Sequence, residues 1–283
     1  MADRIRFHLD EHVDPVIASA LRRAGIDITT TNEAGLRTQN DEGYLRFAVK
    51  RFRHQRQLAV IGSLVFATLV CLGLFALRVA HSHLFTYRYL IWNLFLAWLP
   101  ILSALAAYNL QRRHSWINWL LVPGCALFWL VFFPNAPYLI TDIIHLQRQT
   151  AAPFWYDLIL FVAFAWTGFF LGLVSLFLMQ EVVRRAAGNK ASWMFAFVVL
   201  ALSSFGIYLG RFLRWNSWDL FLNPGKLFAD VTEQVQDPFT RFQAFVFSVL
   251  FAGFFMAMYL TLVAITHFHQ EIHEGRAGNE PLS

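Results

Sequence analysis

Charged side chains are scarce in this chain of 283 residues, since Asp, Glu, Lys and Arg together make up 14% of it. Soluble globular domains carry about 25%, whereas 57% of this chain is hydrophobic and its mean hydropathy is +0.47. The 30 Phe and 10 Trp residues suit a chain surrounded by lipid, where aromatic rings also anchor helices at the interface. The composition therefore excludes a soluble globular protein and predicts an integral membrane protein.

Cysteine is rare as well. The two cysteines, Cys71 and Cys125, both fall inside apolar runs, so the chain lacks the disulfide framework of a small secreted protein. An apolar signal sequence is also missing from the start, because the first fifty residues are polar and mixed in charge. We therefore expect no cleaved signal peptide, and we expect the first apolar span to anchor the chain.

Basic residues outnumber acidic ones by 23 to 18, which gives a net charge of +5 and a pI near 9.5. In a soluble protein this excess would indicate nucleic acid as a partner. Here the basic residues mostly flank apolar runs, where they set membrane topology and contact anionic headgroups. We expect membrane lipid as a partner and no nucleic acid.

Six apolar runs are each long enough to cross about 30 Å of hydrocarbon as a helix. They are residues 58–80, 89–110, 116–133, 156–179, 193–213 and 242–268. Six spans place both chain ends on one side, and the basic segments 50–56, 112–113 and 184–190 then lie inside the cell. The sequence thus predicts an all-α polytopic membrane protein of about six transmembrane helices with cytoplasmic termini; the inverted topology is the alternative.

The first 50 residues have a different pattern. Residues 5–9 and 26–30 are typical of short strands. The spacing of apolar residues predicts one helix after Pro15 and a second that begins at Asp41. A βαβα order of this kind belongs to α/β domains. We divide the chain into an α/β fragment (1–50), a basic linker (51–57), a six-helix transmembrane domain (58–268) and a polar tail (269–283).

Two motifs in this fragment, Arg6-Phe-His-Leu-Asp-Glu-His-Val-Asp-Pro15 and Asn40-Asp-Glu42, resemble the PIN-like nuclease family known as domain of unknown function 5615. The resemblance covers residues 4–49. It implies a metal site in which Asp10 and either Asp41 or Glu42 hold Mg²⁺ for phosphodiester cleavage. The family's later strand and its acid are missing from the chain, so we expect an incomplete, inactive PIN-like fragment that binds no metal.

Polar residues gather where the predicted spans meet the outer surface. Asp142 and His145 are three residues apart and share one face if helical. Asp157 begins the fourth span and Arg211 ends the fifth on the same side; helix dipoles alone would also explain these two positions. Ionisable groups near hydrocarbon are costly unless paired. We predict one site with proton-handling residues Asp142, His145 and Asp157 and ligand-binding residues Arg211, Arg214, Asn216 and Asp219.

Local signals surround this predicted site. Pro134 and Pro137 predict extended backbone directly after the third span. Gly168 and Gly172 are four residues apart, and so are Gly206 and Gly210. This small-xxx-small spacing lets helices approach closely, and it predicts that spans four and five pack together through these glycines. Asn223 and Pro224 can start an amphipathic helix that lies along the membrane surface.

Two long motifs, Phe133-Pro-Asn-Ala-Pro-Tyr-Leu-Ile-Thr-Asp142 and Ser204-Phe-Gly-Ile-Tyr-Leu-Gly-Arg-Phe-Leu-Arg-Trp-Asn-Ser-Trp-Asp219, resemble a bacterial membrane family known as domain of unknown function 1361. The resemblance covers about residues 60–268. It implies a multi-helix integral membrane protein, which we expect in the bacterial inner membrane, and it supplies no activity.

The sequence leaves several functions open. The first is an outer-face site that binds or processes an anionic or lipid-linked small molecule. The alternatives are a small-solute transporter or permease, a scaffold without chemistry and, last, a PIN-like nuclease. We expect no cofactor, and the sequence specifies neither the substrate, nor whether the protein is an enzyme, nor its oligomeric state.

Overall fold

The computed structural model describes residues 7–9, 21, 23, 28–30, 41–112, 116–146, 152–236 and 238–277. The chain divides into two compact units, Met1–Ser63 and Leu64–Ser283. In the first unit, strands β1 (Phe7–Leu9) and β2 (Ile28–Thr30) pair in parallel. Residues 41–50 of the predicted α/β fragment begin a long helix, whereas most of residues 1–40, and the side chains of Asp10, Asp41 and Glu42, lie outside the described part of the chain. The PIN-like fragment therefore stays a prediction.

Every regular element that the structure describes beyond residue 40 is helical. The elements are α1 (Asp41–Ser82), α2 (Arg88–Gln111), α3 (Asn118–Phe132), α4 (Asn135–Tyr138), a 3₁₀ helix (Leu139–His145), α5 (Phe154–Phe212), α6 (Asp219–Leu222), α7 (Pro224–Gln236) and α8 (Pro238–Ala277). The helix expected after Asn223 is confirmed as α7.

Five helical segments in the described residues are long and apolar enough to cross a membrane, which confirms the multi-pass class. They are Leu58–Ser82, Arg88–Gln111, Asn118–His145, Phe154–Phe212 and Pro238–Thr266. The structure departs from the six predicted runs at the fourth and fifth, because residues 156–179 and 193–212 belong to the single 59-residue helix α5.

Helix α5 consists of two arms joined at Gly188, which has φ 86° and ψ 175°, a conformation that is essentially restricted to glycine. In a straight helix Gln180 and Trp193 would lie roughly 20 Å apart. Tyr259 nevertheless contacts both, since its hydroxyl bonds the Gln180 amide oxygen and its ring centroid lies 6.3 Å from that of Trp193. We call residues 154–187 arm A and residues 189–212 arm B. Arm A contains the predicted run 156–179, and arm B contains nearly all of the predicted run 193–213.

Trp129 of α3 packs between the two arms. It is fully buried, its indole N–H donates to Ser175 Oγ of arm A at 3.2 Å, and its ring stacks on Phe195 of arm B at 5.7 Å. A second buried cluster joins α1, α2 and arm A through residues such as Phe75 and Phe161. Both arms therefore pack against α3, and arm A also packs against α1 and α2.

Helix α3 is shorter than the span predicted over residues 116–133. Its 15 residues extend about 22 Å, and the apolar segment continues through α4 and the 3₁₀ helix to His145. The extended backbone predicted at the prolines is wrong, because Pro134 has φ −58° and ψ −25° and Pro137 lies inside α4. Proline's fixed φ suits a first helical turn, so the chain turns here while it remains helical.

Buried residues of both arms belong to one core cluster, but the prediction that spans four and five pack together through their glycines is wrong. A Cβ added at Gly168 of arm A would lie 2.5 Å from Leu139 Cδ1 and 2.8 Å from the Ala136 carbonyl oxygen. One added at Gly206 of arm B would lie 3.2 Å from Pro134 Cγ. The glycines do permit close backbone approach, as their spacing indicates. Their partner, however, is the segment 134–139, which contacts both arms.

The end of the bundle where α2 stops and arm A turns at Gly188 is rich in basic residues. Arg185 lies 4.6 Å over the Tyr108 ring and donates to its hydroxyl at 3.2 Å, and Gln111 donates to the Val182 carbonyl at 2.8 Å. These contacts bring the end of α2 and the end of arm A together. The residues predicted to form a site lie on the far ends of these helices.

Candidate functional site

Arg211, at the end of arm B, contacts four side chains of the segment that precedes arm A. Its Nε and Nη2 donate to Thr141 Oγ1 at 3.0 and 2.5 Å, and Nη2 also donates to Asp142 Oδ1 at 2.6 Å. Its Nη1 lies 2.6 Å from His145 Nε2, and the guanidinium carbon lies 4.3 Å over the Tyr138 ring. The two sequence motifs are thus joined through one arginine.

The 3₁₀ helix explains why these side chains converge. A 3₁₀ helix has three residues per turn, so positions three apart lie directly above one another. Asp142 and His145 therefore share one face of Leu139–His145, as their spacing predicts, and both contact Arg211. Thr141 hydrogen-bonds the Tyr138 carbonyl at 2.7 Å, which fixes its hydroxyl where it can also accept from Arg211.

The carboxylate of Asp142 is buried and fully hydrogen-bonded. The side chains of Asp142 and Arg211 are 2% and 7% exposed. Asn93 of α2 donates to Asp142 Oδ2 at 2.8 Å, while the other carboxylate oxygen accepts from Arg211. A buried ion pair is tolerated when its partners make further hydrogen bonds, and here Asp142 also accepts from Asn93 while Arg211 also donates to Thr141. We call Asn93, Thr141, Asp142, His145 and Arg211 the polar cluster.

His145 is the exposed member of the polar cluster. A guanidinium can only donate hydrogen bonds, so His145 Nε2 must accept from Arg211 Nη1. In a neutral imidazole the proton then lies on Nδ1. In this arrangement Nε2 cannot take a proton from a substrate, whereas the Nδ1–H can donate to a ligand. The geometry therefore favours binding over proton transfer at His145.

Arg211 retains one donor at the same place. The contacts above use four of its five N–H groups. The remaining N–H is on Nη1, beside His145, and has no acceptor among the described residues. Arg211 and His145 thus each retain one N–H donor, and the two point in different directions, because Nδ1–H lies on the far side of the imidazole ring from the Nε2 that faces Arg211. A charge-assisted N–H donor such as that of Arg211 suits an oxyanion.

Asp157 does not belong to the polar cluster, although it was predicted to handle protons there. Its carboxylate binds Arg78 of α1 through two hydrogen bonds, at 2.7 and 3.3 Å, and both side chains are at most 1% exposed. The Arg78 guanidinium also lies 4.3 Å over the Tyr87 ring. Asp157 therefore ties arm A to α1 and is not accessible to a substrate.

Two tyrosines connect this ion pair with the polar cluster. The Tyr87 ring, which covers Arg78, lies edge-on to Tyr89 at 6.3 Å, and Tyr89 lies edge-on to His145 at 6.0 Å. The Tyr89 hydroxyl is buried without a hydrogen-bond partner among the described residues. The two ion pairs are separate sites linked by a row of aromatic rings.

The three remaining predicted residues, Arg214, Asn216 and Asp219, follow arm B, and Asn216 and Asp219 contact each other. Arg214 is exposed and has φ 61°, an uncommon conformation for a residue other than glycine. Asp219 Oδ2 accepts from the Asn216 backbone N–H at 2.9 Å and from its side chain at 3.4 Å. Asp219 thus closes the turn before α6, and neither residue joins Arg211.

Four contact residues were missed by sequence reasoning. Arg78 interrupts the apolar run 58–80, and a charge in such a run is a signal that could have been used. Asn93 is a similar polar interruption of the second run. Tyr138 and Thr141 lie inside the first motif, and nothing in their spacing distinguishes them from its other residues. No group of three or more His, Cys, Asp or Glu that could hold a metal occurs in the described part of the chain.

A family model described as a protein of unknown function, DUF1361, matches residues 92–273. The chain belongs to this family. The DUF1361 match contains both sequence motifs, the whole polar cluster and Asp157, whereas Arg78 precedes it. No curated protein and no solved structure matches the chain. The match does not reach residues 4–49, so their resemblance to PIN-like nucleases remains unsupported.

Proposed function

We propose that this DUF1361 protein binds an anionic small molecule or headgroup at the outer face of the bacterial inner membrane, through Arg211 and His145. One observation carries the proposal. The Arg211 guanidinium is held by Thr141 and Asp142, so that its one spare N–H lies beside the exposed His145. Donors that are already fixed in position lose little entropy when a ligand binds.

In this proposal Asp142 and Thr141 are positioning residues. Asp142 cancels the formal charge of Arg211, so the cluster alone is close to neutral. Arg214 follows arm B and Lys226 lies on α7, and both are exposed. The same stretch, residues 213–237, contains four acidic residues and is net negative, so the proposed recognition of an anion rests on the local donors and not on a positive field.

The basic residues at the opposite end of the bundle support the orientation. Arg112 and Arg185 both lie over the ring of Tyr108, and Arg184 is close by in the sequence. Positive residues in short loops are retained on the cytoplasmic side. The polar cluster then faces outward and both chain ends lie inside the cell.

Equilibrium binding to purified protein in phosphatidylcholine nanodiscs tests the proposal, with dodecyl phosphate as the probe and dodecyl maltoside as its neutral counterpart. We expect Arg211→Gln to weaken dodecyl phosphate binding roughly 10- to 100-fold, as for hydrogen bonds to charged groups. His145→Phe keeps a ring but loses the donor, and we expect a roughly three- to tenfold loss.

Arg184→Gln is the matched control, because it removes the same charge from arm A near Gly188, at the opposite end of the bundle from Arg211. If Arg184→Gln weakens dodecyl phosphate as much as Arg211→Gln does, the effect is general electrostatics and the site is rejected. Equal binding of dodecyl phosphate and dodecyl maltoside to the wild-type protein would reject it as well. If Arg211→Gln does not fold, the affinity of His145→Phe for dodecyl phosphate tests the proposal instead.

Transport is the second candidate, and the buried ion pairs favour it. Arg78–Asp157 and Arg211–Asp142 both lie within spanning segments, where ionisable residues often mark ion and proton pathways. Flux of phosphate and small carboxylates into proteoliposomes, measured with and without a pH gradient, would distinguish a transporter from a protein that only binds the anion. Wild-type flux that Asp142→Asn abolishes would favour a transporter over a binding protein.

A further inference from the structure

The end of the bundle opposite Arg211 carries two guanidinium groups on one tyrosine ring. Tyr108 is a buried residue near the end of α2. The guanidinium carbon of Arg185, from arm A, lies 4.6 Å from the Tyr108 ring centre, and that of Arg112, which follows α2, lies 4.9 Å from the same point. Two cations from different helices thus share one aromatic ring. We call Tyr108, Arg112 and Arg185 the Tyr108 site.

Arg185 is held in place and keeps spare donors. Its Nε donates to Glu181 Oε1 at 2.8 Å, and its Nη2 lies 2.8 Å from the same oxygen and donates to the Tyr108 hydroxyl at 3.2 Å. These contacts leave the two N–H groups of Nη1 without an acceptor among the described residues. Arg112 is exposed and forms no hydrogen bond or ion pair with another described residue. The Tyr108 site therefore offers several charged N–H donors, which suit a phosphate group.

Positive charge dominates the sequence at this end of the bundle. Residues 100–125 and 176–200, which include the end of α2 and the turn at Gly188, contain five arginines and lysines but a single acidic residue, Glu181. Glu181 pairs with both Arg184 and Arg185, so its one charge offsets only one of theirs. Like charges held close together repel, and an anion at the Tyr108 site relieves this repulsion.

Two tryptophans place the same end of the bundle at the level of lipid headgroups. Trp116 and Trp119 are 88% and 89% exposed. Asn118, between them, donates to the Leu110 carbonyl at 2.8 Å and so holds the start of α3 against the end of α2. Exposed tryptophans at the end of a spanning helix are typical of the membrane interface. Phospholipid phosphates are thus the anions nearest to the Tyr108 site.

We infer that the Tyr108 site binds the phosphate of an anionic phospholipid in the leaflet opposite the polar cluster. Nη1 of Arg185 and the guanidinium of Arg112 donate to the phosphate oxygens. Basic sites between spanning helices at the cytoplasmic surface suit such headgroups. A zwitterionic lipid is disfavoured, because it brings a cationic group close to the two arginines. The Tyr108 site is independent of the proposed function, since it lies at the other end of the bundle from Arg211.

Native mass spectrometry of the protein in dodecyl maltoside micelles tests the inference. The probe is dioctanoyl phosphatidylglycerol, its zwitterionic counterpart is dioctanoyl phosphatidylcholine, and the quantity measured is the dissociation constant of the first bound lipid. We expect the wild-type protein to bind phosphatidylglycerol about tenfold more tightly than phosphatidylcholine, and Arg112→Gln to remove most of this difference. Arg185→Gln should act in the same direction. Arg112 makes no hydrogen bond within the described part of the chain, so its replacement should leave the fold intact.

Arg88→Gln is the matched control, because it removes an exposed arginine from the other end of α2, and we expect it to change the affinity for phosphatidylglycerol less than about twofold. Arg112→Lys keeps the charge but loses the planar guanidinium, and we expect about threefold weaker binding. Equal losses in Arg88→Gln and Arg112→Gln, or wild-type affinity in Arg112→Lys, would mean that general electrostatics explains the binding, and would overturn the inference.

The source and the place of the anion are tested separately. Glycerol 3-phosphate carries a phosphate without acyl chains, and we expect it to bind at least about tenfold more weakly than dioctanoyl phosphatidylglycerol. Equal affinities would identify a soluble anion as the ligand and overturn the inference. Loss of phosphatidylglycerol binding in Arg211→Gln but not in Arg112→Gln would assign the lipid to the polar cluster and overturn it as well. Failure of the proposed function, in contrast, leaves the effect of Arg112→Gln on phosphatidylglycerol unchanged.

Discussion

The Arg78–Asp157 ion pair allows a quantitative prediction about stability. Both side chains are at most 1% exposed and joined by two hydrogen bonds, so removal of one partner leaves a buried charge. We expect Asp157→Leu to lower the free energy of unfolding by about 3–5 kcal/mol. The double variant Arg78→Met/Asp157→Leu removes both charges and replaces them with apolar side chains, so it should recover most of that loss.

Reversible unfolding in mixed detergent micelles, followed by circular dichroism, measures these differences. Glu181→Gln is the control, because Glu181 pairs with Arg184 and Arg185 at partly exposed positions and its loss should cost no more than about 1 kcal/mol. The reasoning is refuted if Asp157→Leu costs as little as Glu181→Gln, or if the double variant is less stable than either single one. Dodecyl phosphate binding that persists in the folded double variant would identify Asp157 as a structural residue.

Three further predictions follow from the helices. Gly168→Ala should destabilise the protein by about 1–3 kcal/mol, because its Cβ would overlap the Ala136 carbonyl oxygen. Gly124→Ala is the control, since no atom lies within 4 Å of its Cβ, and it should be neutral or slightly stabilising. Thermal unfolding of both variants measures the difference. Gly188→Ala should cost a similar amount, about 1–3 kcal/mol, because its φ of 86° and ψ of 175° strain any other residue, and the same unfolding assay applies. Arg214→Cys and Lys190→Cys, each made in a background without the two native cysteines, should react with an impermeant maleimide from opposite sides of the membrane, and labelling from the same side would contradict the proposed topology.

The helices could be predicted because few backbone conformations are possible for a chain that crosses lipid. Backbone polar groups must be satisfied within each span, so long apolar runs indicate helices whatever their tertiary partners. The run between the fourth and fifth spans was predicted as a loop because it contains Arg184, Arg185 and Lys190. The structure keeps it helical, since charged residues are good helix formers outside the hydrocarbon, and Gly188 alone makes the reversal.

The site could be predicted only where local geometry decides it. Asp142 and His145 share a face because they are three residues apart, and that holds for any helical backbone. The partner of Asp157 is 79 residues away in the chain, and no local rule selects it. The glycine motifs also show this limit. Their spacing indicates that another backbone approaches closely, but it does not say which one, and in the structure it is the segment 134–139 and not the other arm.

The position of that segment gives the protein a mechanical property. Residues 134–139 contact glycines on both arms of α5, and the residues that follow them hold Arg211 at the end of arm B. The two arms therefore cannot separate or slide without either opening these glycine contacts or pulling Arg211 away from Thr141 and Asp142. One segment therefore sets both the position of Arg211 and the spacing of the two arms.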